Sequence, residues 1–121
     1  MKASVLALGL DPACVDLGEA PQLAPDVVRA FIDSQLERVR SLGYGVRTCL
    51  VASGEAAEAT VARNLREGRF DCVLFGAGLR APEHLLLFEK LLNLVHAQAP
   101  GAKLCFNSTP SDSAEAVQRW V

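Results

Sequence analysis

The run Phe70-Asp71-Cys72-Val73-Leu74-Phe75-Gly76-Ala77-Gly78-Leu79-Arg80-Ala81-Pro82 decides the fold. Its first part is a short apolar strand, too brief for a helix and apolar on both faces, as a strand covered from two sides must be. Glycines then mark a turn, and Pro82 opens a leucine-rich helix that Pro100-Gly101 stops. A strand joined to a long amphipathic helix through a glycine turn is half of a βαβ unit.

Working outward, the same alternation recurs on both sides. Ala3 to Leu10 is continuously apolar and reads as the central strand, broken by Asp11-Pro12. A helix opens at Pro25-Asp26, with Val28, Phe31, Ile32, Gln35, Leu36, Val39 and Leu42 at steps of three and four as its inward stripe. Val46 to Ala52 is the second strand. Ser53-Gly54 caps a second helix that runs through Glu67 and buries Ala57, Val61, Ala62 and Leu65. After the third strand and third helix, Lys103 to Asn107 is a fourth strand, and Asp112 with Glu115 reads as a capping box for a last helix carrying Val117, Trp120 and Val121.

The order βαβαβαβα implies one α/β domain over residues 1–121, a three-layer α/β/α sandwich on a four-stranded parallel sheet. With the most apolar strand central, the expected strand order is 2-1-3-4. That puts a topological switch point between strands one and three, where open α/β sheets bind ligands.

The element order, the Leu42-Gly43-Tyr44-Gly45-Val46 turn and Phe70-Asp71-Cys72-Val73-Leu74 together resemble the flavodoxin-like superfold. Within it the chain is most similar to a response-regulator receiver domain without its fifth strand, and to small bacterial α/β proteins. The receiver resemblance implies an acid after strand one, matched by Asp11, and a hydroxyl after strand four, matched by Ser108 or Thr109. It also implies a phosphoaccepting aspartate at the end of strand three, where this chain has Phe75-Gly76, and a lysine after a fifth strand that is absent. Receiver-type phosphotransfer is therefore not expected. Flavin is not expected either, because the segment after strand one is acidic where a flavodoxin has a hydroxyl-rich phosphate loop.

Composition narrows the rest. Twelve Lys and Arg against fourteen Asp and Glu give a net charge of -2, with the basic residues scattered, which argues against nucleic acid as a partner. No apolar run reaches bilayer length and Met1-Lys2-Ala3 leads straight into a strand, so no membrane segment or signal peptide is expected and the cytoplasm is the expected location. Cys49, Cys72 and Cys105 fall in apolar strands and read as small buried hydrophobes, while Cys14 lies in a polar acidic loop that disfavours a thiolate. Neither their spacing nor the two histidines make a metal site, and no cofactor is expected.

The candidate site gathers at the carboxyl ends of the strands. Gly76-Ala77-Gly78-Leu79-Arg80-Ala81 matches G-x-G-x-x-G/A, although a tight turn with close backbone approach explains the glycines as well. Ala81 and Pro82 cannot cap the first N–H groups of the third helix, which leaves those donors for water or for an anion aided by Arg80. Asn107, Ser108 and Thr109 emerge beside this turn, and His84 lies in the first helical turn without a named catalytic partner. Asp11 ends strand one, with Asp16 and Glu19 in the loop beyond it as acids able to fold over. The expected function is non-enzymatic binding of a small anionic ligand by Asp11, Gly76, Gly78, Arg80, His84, Asn107, Ser108 and Thr109; the alternatives are a homodimeric structural or protein-interaction domain without ligand and, ranked last, a small enzyme using Asp11 or His84 as acid or base.

On the third helix, Leu85, Phe88, Leu92 and Val95 with Leu91 suffice to cover the sheet. Leu86, Leu87 and Leu94 then point elsewhere, either onto the second helix or into a homodimer that would also protect the strand-four edge.

Overall fold

The computed structural model describes residues 2–14, 20, 23–52 and 55–121. Four strands, β1 (Ser4–Leu10), β2 (Gly45–Val51), β3 (Cys72–Phe75) and β4 (Lys103–Phe106), form one all-parallel sheet in the order β2-β1-β3-β4. They alternate with α1 (Pro25–Ser41), α2 (Glu55–Glu67), α3 (Leu85–Gln98) and α4 (Ser113–Gln118). The expected α/β/α sandwich and its strand order are thus observed. Ser53 and Gly54, read as the cap of α2, and Asp16 and Glu19 lie outside the described residues.

Side-chain alternation along β1 divides the core in two. Leu6, Leu8 and Leu10 join Val73, Phe75 and Cys49 under α2 and α3, with Val61, Leu91 and Val95 above them. Val5 and Ala7 join Leu74, Cys72 and Cys105 on the other face, under Leu36 and Val39 of α1 and Ala114 and Val117 of α4. Both faces of the sheet are covered, which is why its central strands carry no polar alternation.

Four details differ from the periodicity. Phe31, placed in the inward stripe of α1, is 44% exposed. The stripe that packs is Ile32-Leu36-Val39, and Phe31 sits on its flank beside Val27. The third helix opens not at Pro82 as an α-helix but as a 3-10 turn, Pro82–His84, before α3 begins at Leu85. The stripe after the turn keeps its expected phase at Phe88, Leu91, Leu92 and Val95. Leu85, expected to cover the sheet, is 55% exposed at the junction of the two helical turns, and the packed stripe begins at Leu87 and Phe88. Leu87 and Leu94 are half-buried against the core, whereas Leu86 is 74% exposed.

The capping box lies three residues earlier than expected. Thr109 and Asp112 form it, around a 3-10 turn at Pro110–Asp112 that leads into α4. Glu115 instead pairs with Arg38 of α1 at 2.6 Å. Proline at the first position of the turn favours this register, since its missing N–H needs no partner there. Trp120 and Val121 lie past the end of α4, exposed.

Three carboxyls tied into these ends give the fold an acid limit. Partial burial pushes the Asp112 carboxyl up, but the N–H groups of Thr109 and Ser108 outweigh it and hold it below the ordinary 3.8. The Arg38 guanidinium lowers Glu115, and the Ala13 N–H together with Arg29 lowers Asp11. Each folded carboxyl binds its proton less readily than the unfolded one, so the stabilisation is complete above the unfolded pKa and lost as pH falls through the folded value. The urea midpoint is expected to stay level from pH 7 to about 5 and to fall below about pH 4. Asp112→Asn should flatten that fall, and a midpoint unchanged down to pH 3 would contradict the assignment.

Candidate functional site

The carboxyl ends of β1 and β3, α1, the turn after β3 and the segment after β4 form a half-open cavity of about 250 Å³. It lies at the switch point between β1 and β3. Its walls are chiefly apolar: Leu10 and Pro12 from the end of β1, Val28, Ile32 and Leu36 from α1, and Leu50 from β2. Polar groups are few, namely Thr48, Glu83, His84, Asn107 and Ser113.

Four of the eight candidate residues line it: Gly76, Gly78, His84 and Asn107. Gly76 is favoured by packing, since a Cβ there would stand 3.2 Å from the Leu8 carbonyl oxygen, a tight contact with backbone, and 3.6 Å from the Gly9 Cα. Gly78 is not. Its φ is not positive, and a Cβ would meet only the Leu10 side chain at 3.9 Å, an ordinary contact. What glycine at 78 preserves is open volume beside Leu10. Two 3-10 turns, Ala77–Arg80 and Pro82–His84, separate these glycines from α3. In the dinucleotide fingerprint the glycines lead directly into the helix.

The other four candidates are engaged elsewhere. Asp11 accepts the Ala13 N–H at 3.0 Å and pairs with Arg29, a turn-and-strut arrangement beside the cavity wall. Arg80 donates to the Asn107 backbone carbonyl, reaches the Asn107 side-chain oxygen at 3.4 Å and lies 5.5 Å from the centroid of the Phe106 ring. Its Nε is buried with no hydrogen-bond partner among the described residues. Ser108 and Thr109 give their N–H groups to Asp112, and Thr109 Oγ1 accepts from the Ser111 N–H at 3.2 Å. Their turn chemistry is therefore the capping of the 3-10 turn Pro110–Asp112 that leads into α4.

Asn107 is the polar anchor of the cavity, 5% exposed. Its side-chain nitrogen donates to Ser113 Oγ at 3.1 Å, and that hydroxyl donates to the Pro110 carbonyl at 2.7 Å. His84 stands half-buried as the residue preceding α3, its backbone N–H bonded to the Ala81 carbonyl at 2.9 Å.

Sequence reasoning missed Thr48, Glu83, Ser113 and the α1 wall. Val28, Ile32 and Leu36 read correctly as an inward stripe, but nothing in their spacing tells that the stripe stands clear of the sheet at its amino-terminal half. Thr48, a polar residue inside a strand otherwise turning apolar, is the one signal available.

Cys49, Cys72 and Cys105 are buried and Cys14 is exposed, all four as free thiols. Burial pushes the Cys49 thiol up. The sulfurs of Cys72 and Cys105 are 3.0 Å apart, and the hydrogen bond between them raises Cys105. No cluster of three or more His, Cys, Asp or Glu able to hold a metal occurs among the described residues, and no helix there is long and apolar enough to cross a membrane. Compared with protein-family models, with curated proteins and with solved structures, the chain finds no match.

Proposed function

We propose that the protein is a small-molecule-binding domain whose ligand occupies the cavity at the carboxyl ends of β1 and β3. One observation carries the reading: an apolar cavity of about 250 Å³ with a buried amide in its wall lies at the switch point, where open α/β sheets bind ligands. The role is read as binding rather than turnover, and the anionic ligand expected from the sequence is one candidate class. A reducing compartment such as the cytoplasm suits four free thiols.

Thermal unfolding against a panel of small acids, alcohols, amides, nucleotides and sugar phosphates tests it. A ligand at a hundredfold excess over its Kd adds about 2.7 kcal/mol, which raises Tm by roughly 10 °C for a chain of this size. Gly78→Leu fills the space beside Leu10 without backbone strain, so it is expected to fold and to abolish the shift. A flat response across the panel would set the reading aside.

A second reading, a homodimer through α3, is favoured by the exposure of Leu85 and Leu86. It predicts twice the monomer mass by light scattering, returning to monomer in Leu86→Glu. A monomeric mass in the unaltered chain would remove it.

A further inference from the structure

Resting on the binding reading above, we infer that the ligand is uncharged, with a compact apolar body and one hydroxyl or amide group held by Asn107. The wall chemistry leads there. Among the described residues lining the cavity there is no lysine or arginine, and the one carboxylate, Glu83, stands next to the one imidazole, His84. The two guanidiniums nearby are outside the lining, Arg80 with one nitrogen on the Asn107 carbonyl and Arg29 paired with Asp11. An anion set against Leu10, Ile32 and Leu50 would find no fixed positive charge in the lining, and a cation would find only the exposed carboxylate of Glu83, where water screens the pairing, whereas a neutral polar group needs no counter-charge.

Asn107 sets the head group. Ser113 spends its proton on the Pro110 carbonyl, so it must accept from Asn107, and this fixes which end of the amide is nitrogen. Arg80 approaches the amide oxygen. The amide retains one N–H and one oxygen lone pair, a donor and an acceptor side by side. A hydroxyl or amide satisfies both at once, whereas a carboxylate can use only the donor. Size sets the body: a dry apolar cavity of about 150 Å³ holds benzene, so about 250 Å³ takes a ring with a short substituent.

Toluene, benzyl alcohol, benzamide, benzoate and benzylamine share one ring and differ in the head group. Titrated into the full chain and followed by backbone amide chemical shifts, benzyl alcohol and benzamide are expected to move Gly76, Gly78 and Asn107 and to bind about tenfold or more tightly than benzoate or benzylamine. Asn107→Leu should erase the advantage of the alcohol and amide over toluene. Gly78→Leu, which leaves the Asn107 bonds intact, should block all five and guards against misfolding of the first variant. Tighter binding of benzoate, or of inorganic phosphate, would overturn the neutral-ligand inference while leaving the cavity as the site. No shift at these amides with any probe would overturn the site as well.

Discussion

Phe75→Ala is expected to cost about 3–5 kcal/mol, enough to bring a protein with a total stability of about 5–15 kcal/mol close to unfolding. Phe75 is fully buried at the carboxyl end of β3, at the centre of the α2/α3 face. Its ring meets Phe88 of α3 edge-on at 5.6 Å between centroids and Phe106 of β4 at 5.8 Å, and those two rings are 5.9 Å apart. Truncation therefore removes transfer energy, leaves a void and breaks two of the three aromatic contacts, each worth about 0.5–1.5 kcal/mol beyond area burial. Urea unfolding checks it, with Phe75→Leu as the smaller lesion. A loss below about 1.5 kcal/mol in Phe75→Ala would mean that the three rings do not form one packed unit.

Arg80→Ala is expected to destabilise the ligand-free protein by about 2 kcal/mol, the scale of a hydrogen bond from a charged group with a modest cation–π contribution. The guanidinium joins the turn after β3 to the end of β4 by donating to the Asn107 carbonyl while lying over Phe106. Arg80→Lys should recover little, because an ammonium cannot reproduce the planar fork that bonds and stacks together. Urea midpoints of the two variants measure this directly. Unchanged midpoints with weakened ligand binding would return Arg80 to the anion-binding role expected from the sequence.

The contrast between these residues marks where local information ends. Val5 to Leu10 and Cys72 to Phe75 are apolar without interruption, and a strand can be so only when both faces are covered, so the layers and the central position of β1 followed from β1 and β3 alone. The inward stripe of α1 was legible because it repeats within one helix, and the burial of Cys49, Cys72 and Cys105 because each sits in such a strand. Of the eight candidate residues read from the sequence, Gly76, Gly78, His84 and Asn107 line the cavity at the switch point.

What tertiary structure alone decided is which groups meet across long separations. Arg80 and Asn107 are 27 residues apart, Arg38 and Glu115 are 77 apart, and no spacing rule links either pair. A guanidinium five residues past a strand reads equally well as an anion ligand or as a strut until the carbonyl it reaches is known. Phe88, Leu91, Leu92 and Val95 pack as their spacing implies, but Leu85, the first residue of α3, lies exposed after the 3-10 turn while Leu87 packs against the core. The cavity is the clearest case. Ile32 and Leu36 look like any core stripe in one dimension, and only the distance at which α1 settles over the ends of β1 and β2 separates a filled core from a space that can hold a ligand. Element order and layer chemistry are properties of single segments and were determined by the sequence itself. Partner choice and empty volume are properties of segments packed together, and they exist only once the chain has folded.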